Sequence, residues 1–349
     1  MSMNSKLGRL RRRLELGSRY VFRIWGAKNH LSVPFHKKLK ANLLGGYLGD
    51  QYMLYDFDKN DKSEYISEFE WYKSRYINEP FNDMFDNKII CSEVLERYIR
   101  VPKVFVAKNQ GRLIKYTDID TYEGIIALLH REKKLFIKPI KAGKGKGVFL
   151  LSAHDGQLFV DEKPLSDDEM IAFLKKDSNW LIAEAMEQDA YLNGLYDKTT
   201  NTIRFITWKS PKTNEFEVFF AVQRIGTKAT IPVDNGSRGG LVANIDLETG
   251  VLSEARNLHS LDVWERHPDS GAQIKGATVP DWASIKKEML KLSDKFPFMN
   301  FMAWDILLTN DGICIIEANT SSGVNIIQLW GGQRNGPLGD FYRHHGIIK

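Results

Sequence analysis

The chain has 349 residues, 43% hydrophobic and 27% charged, which allows one large core or two to three smaller ones and excludes a disordered polymer. Its two cysteines, Cys91 and Cys314, exclude a disulfide framework, and Cys314 sits in the apolar run 313–316 as a buried thiol would. The net charge of +5 is uneven: residues 1–40 hold eleven Lys and Arg against Glu15 alone, a balance of +10, and the remainder carries −5. No apolar stretch near the roughly 18 residues of a membrane span and no signal-peptide pattern is present, which predicts a cytoplasmic protein.

In chain order, residues 5–25 predict an amphipathic helix with Leu7, Leu10, Leu14, Val21 and Ile24 near one face and arginines on the other. Such a helix suits an anionic membrane surface or the protein body with a solvated basic face, and the sequence leaves both open. No nucleic-acid motif accompanies the charge, so no nucleic-acid partner is expected. Residues 63–76 predict a helix on the spacing of Tyr65, Phe69, Tyr72 and Tyr76, a stripe expected in the core. A short helix over 91–98 and a strand over 102–107 follow, and Ser166 with Glu169 forms a capping box for a helix over 166–175. Strands are expected over 135–140, 148–152, 180–185, 202–208, 217–225, 240–245, 302–308 and 313–317, with a helix over 285–296 before the last pair. Short turns between many strands, with helices interspersed, point to an α+β fold.

Two segments carry chemistry. After the strand ending at Lys138 comes Lys141-Ala142-Gly143-Lys144-Gly145-Lys146-Gly147, then another strand. Glycines let backbone N–H groups approach phosphate oxygens, and the lysines add charge. It is not a P-loop, because Gly follows Lys144 and Lys146. Nor is it a dinucleotide fingerprint, because a strand follows. The reading is a hairpin lid over phosphates. The second segment is the hairpin turning at Asp311-Gly312, whose apolar strands are interrupted by Asp305, Glu317 and Asn319. A carboxylate in such a strand needs a cation or donors, and Glu317 and Asn319 point to one face, so the oxygens suit Mg²⁺.

These motifs together resemble the ATP-grasp superfamily, most closely its sugar-transfer-associated branch, found with polysaccharide biosynthesis; the resemblance covers about residues 88–346. It implies an ATP-grasp fold of two α+β subdomains clamping ATP. Residues 1–80 would form a helical basic extension, 81–185 the lid subdomain with the helix before it, and 186–349 the metal-bearing subdomain. It implies that Lys88 and Lys138 contact phosphates, with Lys141, Gly143, Lys144, Gly145 and Gly147 in the lid. Glu184, Ala185 and Met186 would form the adenine hinge, and Arg204 would face phosphate. Asp305, Glu317 and Asn319 would hold Mg²⁺, two ions in all. The ribose-binding acid is Glu187 or Asp189. The stretch 317–323 also resembles D-alanine–D-alanine ligases, except that Ser322 stands where proline is usual.

The activity so implied is a carboxylate–amine ligase working through an acyl phosphate, in which a sugar acid is joined to an amino acid or amine in capsular or envelope polysaccharide synthesis. Arg224 or Arg238 would hold the substrate carboxylate, since the guanidinium fork matches it. Two alternatives are a kinase on the same scaffold and a non-catalytic nucleotide-binding scaffold. No histidine is assigned a role.

Overall fold

The computed structural model describes residues 6–43, 45–141 and 147–349. Two antiparallel sheets organise it. The first holds β1 (Val104–Asn109), β2 (Arg112–Lys115), β3 (Lys134–Lys138), β4 (Phe149–His154), β5 (Gln157–Val160), β6 (Lys163–Leu165) and β7 (Trp180–Glu184), in the order β2-β1-β7-β3-β4-β5-β6. The second holds β8 (Ile203–Lys209), β9 (Phe216–Ile225), β10 (Leu241–Ile245), β11 (Leu252–Arg256), β12 (Phe301–Thr309) and β13 (Gly312–Asn319), in the order β11-β10-β9-β8-β12-β13. The α+β expectation is met.

The first sheet has unlike faces. On one, Ile125 and Leu129 of the helix Tyr122–Glu132 and Met170 and Leu174 of the helix Asp167–Lys176 pack with Leu135, Ile137, Leu151 and Ile182. The predicted capping box is formed: Ser166 accepts from Glu169 N while Glu169 accepts from Ser166 N. The other face carries the smaller side chains Ala107, Leu181 and Ala183, with Ile89 against them. That thin apolar face looks onto a cleft. The helix Lys88–Leu95 lines the cleft but contributes Cys91 and Leu95 to the core under the second sheet, with Phe205, Trp304 and Ile306. Both cysteines are buried and free.

The amino-terminal region packs on the second sheet's other side, where Ile66 meets Val324, Leu338 and Phe341. Asn78 anchors it, donating to Phe301 O and Thr320 O and accepting from Asn300 N and Phe301 N. The helix predicted over 63–76 runs Glu68–Ser74 instead, because Ser67 and Glu70 close a capping box there. Tyr65 falls outside it and packs with Tyr47, Tyr52 and Tyr55.

The first helix spans Lys6–Arg19 and continues as a π-helical turn, Tyr20–Trp25. Two of its arginines, Arg12 and Arg19, face the body. The Arg12 guanidinium lies 4.1 Å from the Tyr76 ring centre, and that of Arg19 lies 5.3 Å from Tyr72 while also holding Glu15 at 2.7 Å. Tyr20 packs edge-on against Phe69. Ile24 is fully buried beside Gly46, a glycine at φ +88 whose Cβ would strike Phe69. Of the two placements left open by the sequence, the leucines take the outward one: Leu7, Leu10 and Leu14 are 55%, 52% and 67% exposed.

Candidate active site

Strand register builds the site. Arg204 on β8 lies opposite Asp305 on β12, and Asp305 lies opposite Glu317 on β13, so three functional side chains form one row across the sheet. A register shift follows Asp305, and the extra residue on β13, Ile316, is spent between Glu317 and Ile315. A bulge of this kind re-aims neighbouring side chains. Ile316 and Glu317 line the cleft with Lys88, Lys138, Leu181 and Ala183.

Asp305 is enclosed. Arg204 grips it with two bonds, Nε to Oδ1 at 2.5 Å and Nη2 to Oδ2 at 3.1 Å, and Arg224 adds Nη1 to Oδ2 at 3.0 Å. Arg224 reaches Asp234 with its other nitrogen at 2.6 Å, and Asp234 accepts from Thr202 N and Oγ1 at 2.7 and 2.6 Å. Burial alone would raise the Asp305 carboxyl, but Arg204 and Arg224 outweigh it and hold the group below the usual carboxylate range. Asp234 goes the other way: burial raises its carboxyl and Arg224 offsets only part of that.

Glu317 is differently placed. Lys88 Nζ stands 3.4 Å from its Oε1. Lys138, at the end of β3, feels the cost of burial first, is drawn back by Glu317 and opposed by Lys88, and its ammonium is pushed down to about 8. The Asn319 amide nitrogen is buried with no hydrogen-bond partner among the described residues. Among those residues no group of three or more His, Cys, Asp or Glu gathers to hold a metal. The oxygens that fit Mg²⁺ are the Glu317 carboxylate, the Asn319 Oδ1 and the lone pair left on Asp305 Oδ1 once Arg204 has taken the other, while the unpartnered Asn319 Nδ2 is a donor suited to an anion.

The remaining sequence candidates scatter around this centre. Glu184 ends β7 and accepts from Lys103 N at 3.2 Å, Ala185 and Met186 continue past it, and Met186 packs on the core of the second sheet. Glu187 is exposed, whereas Asp189 caps the helix Ala190–Leu195 by accepting from Leu192 N. Lys141 pairs with Asp83 at 2.5 Å near the surface. Gly147 sits at φ +72 with Pro139 2.9 Å from where a Cβ would be, so only glycine fits there. Gly143, Lys144 and Gly145 lie outside the described residues. Arg238 is exposed in the turn Gly236–Arg238, close enough to Asp161 of the first sheet to offset part of the burial that raises that carboxyl.

Sequence reasoning named Asp234 only within a polar glycine-rich segment expected to line the acceptor side of the cleft, without its ion pair to Arg224, and foresaw no contact for Thr202 or for Ser322, whose Oγ lies 3.4 Å from Arg204 Nη1. Asp234 precedes Asn235-Gly236 and reads as a turn residue; nothing local marks it as buried.

A sheet bearing a lysine and a glycine loop, set over a second sheet whose last hairpin presents Asp, Glu and Asn, defines an ATP-grasp protein. The chain belongs to the family described as sugar-transfer associated ATP-grasp, whose pattern it matches over residues 69–335. No curated protein matches it. Similar solved structures include an ADP complex of N5-carboxyaminoimidazole ribonucleotide synthetase, 14% identical over 69% of this chain and 46% of that one, with a TM-score of 0.40. The ATP-grasp ligase PsnB with precursor peptide and AMPPNP is 12% identical over 78% and 61%, with a TM-score of 0.40. D-alanyl-alanine synthetase A from Vibrio cholerae O1 biovar eltor is 10% identical over 71% and 58%, with a TM-score of 0.41. The chain thus spans about half the length of the solved structures it resembles.

Proposed function

We propose that the chain is an ATP-dependent ligase that joins a carboxylate to an amine through an acyl phosphate. The observation that carries this reading is the cleft lined by Lys88, Lys138 and Glu317, two cations set beside a carboxylate. Transfer of a phosphoryl group needs positioning and charge neutralisation more than covalent help from the protein. Lys88 and Lys138 receive phosphate oxygens. The thin apolar face with Glu184, Ala185 and Met186 receives the adenine, and exposed Glu187 receives the ribose, since Asp189 is occupied as a helix cap. Glu317, Asn319 and Asp305 would hold Mg²⁺, one or two ions, which when bound neutralise phosphate charge.

The substrate carboxylate oxygen attacks the γ-phosphorus and ADP leaves with the bonding electrons. The amine nitrogen then attacks the acyl carbon, phosphate departs, and the nitrogen loses a proton. Arg204, whose Nη1 has only Ser322 at 3.4 Å, orients the transferring phosphate. Arg238 holds the substrate carboxylate; the commitment of both Arg224 nitrogens to aspartates supports that choice. Arg238→Ala is expected to raise KM for the acid about tenfold with kcat little changed.

The family's link with sugar transfer supports a sugar acid as the carboxylate and an amino acid or amine as its partner, in envelope polysaccharide synthesis. The test measures ADP and free phosphate with uronic acids and amino acids, singly and together. A ligase releases both only when both substrates are present. ADP without phosphate would make the chain a kinase, and release of neither under any pairing would make it a scaffold.

A further inference from the structure

We propose that the outward face of the amino-terminal helix docks on an anionic lipid bilayer, lying along the headgroup layer with its leucines and aromatics inserted. Among the described residues, eight of the fifteen exposed large apolar side chains fall between Leu7 and Leu43. Leu7, Leu10, Leu14, Val21, Phe22 and Trp25 line the first helix and its π-helical continuation, with Phe22 71% exposed. Phe35, 78% exposed, opens the next helix, Phe35–Leu43. Scattered exposed apolar residues are ordinary, but a continuous stripe marks an interaction surface.

The stripe is outward for an identifiable reason. The helix is fastened to the body by its polar side, through Arg12 on Tyr76, Arg19 on Tyr72 and Tyr20 on Asn42 O. A helix held only by burial of its apolar face would dock the other way round. Charge selects the occupant. Arg9, Arg11, Arg13 and Arg23 stay exposed beside the stripe, and the one acid among residues 1–40, Glu15, is bound to Arg19. Exposed leucines, a tryptophan and exposed arginines along one helix match an anionic headgroup layer over an acyl boundary. The twenty residues from Lys6 to Trp25 reach about 30 Å, yet among the described residues no helix is apolar enough to cross a membrane. The helix therefore lies on the bilayer.

The experiment is flotation of the full chain with phosphatidylcholine vesicles with and without phosphatidylglycerol. Anionic vesicles are expected to bind at least about tenfold more protein, and added salt to reduce it. Leu10→Ser/Leu14→Ser/Phe22→Ser and, separately, Arg11→Glu/Arg13→Glu should each abolish that excess, while Phe298→Ser, an exposed apolar residue elsewhere, leaves it intact. Circular dichroism melting confirms that each variant is folded. Binding that ignores lipid charge, triple-serine protein that binds like the parent, or no flotation at all overturns the proposal. So does a lipid-free dimer that the triple-serine change dissociates, which would make the stripe a contact between two copies.

Discussion

The two ends of the carboxylate row differ in how completely they are paired. At Asp305, two arginines supply three hydrogen bonds within 3.1 Å, and a further aspartate, Asp234, shares Arg224. At Glu317, one lysine stands at 3.4 Å, the neighbouring Asn319 amide nitrogen has no partner among the described residues, and Lys138 is held where its charge is costly. Buried polar groups are nearly always satisfied, so an unsatisfied one in a cleft points to a missing occupant. The Asp305 end is largely filled by its own arginines, whereas the Glu317 end keeps most of its polar capacity unspent.

Asp305→Ala tests the first half most severely. It leaves Arg204 and Arg224 short of a carboxylate, and stability should fall by about 3–5 kcal/mol in urea titration, with activity lost. Unchanged stability would mean the arginines find other partners and the contrast fails. Next in size, Lys138→Met should lower kcat/KM for ATP by roughly 10²–10³-fold while leaving the unfolding midpoint unchanged or higher, because it removes a desolvated charge rather than a bond.

A proton linkage follows from the same lysine. Its folded value is about 8 against the ordinary 10.5. Below about 8 both folded and unfolded chains carry the proton and the burial cost is fully present. Between the two values the unfolded chain binds the proton more strongly, so stability should rise with pH there. Lys138→Met should flatten that slope. Bound ATP, by placing phosphate beside the ammonium, should flatten it too and draw in a proton, seen as buffer-dependent heat in calorimetry. The smallest effect expected is on Asn319→Ala, within about 0.5 kcal/mol of the parent in stability. Asn78→Ala, which breaks four backbone hydrogen bonds, should cost about 2 kcal/mol or more. Equal losses at the two asparagines would erase the distinction.

The Glu317 end was legible in the sequence because its information is local. The Asp311-Gly312 turn sets the hairpin register, and carboxylates in apolar strands announce a need for cations. At the other end Asp305 and Arg204 were each legible as candidates but their pairing was not, because they are joined across 101 residues and their neighbour Asp234 hides in turn chemistry. Periodicity likewise revealed an amphipathic first helix without saying which face would dock. That depended on the Tyr72 and Tyr76 rings, which the same periodicity assigned to the core: Tyr72 is buried there, Tyr76 is half-buried, and both also receive arginines. The Ser67–Glu70 box was readable by the rule applied at Ser166, but the aromatic spacing drew the helix start to 63 rather than Glu68. Strands of three or four residues, such as β5 and β6, are too short for alternation to register.

One backbone hydrogen bond, from Lys88 N to Ile140 O at 3.0 Å, links the helix above Glu317 to the chain leaving β3, two residues past Lys138. The two lysines belong to different cores, yet this bond ties their backbones together as the jaws of a caliper share a hinge. Since the Lys88 helix is also packed into the core under the second sheet, the bond tethers one sheet to the other, and any breathing between them loads it directly.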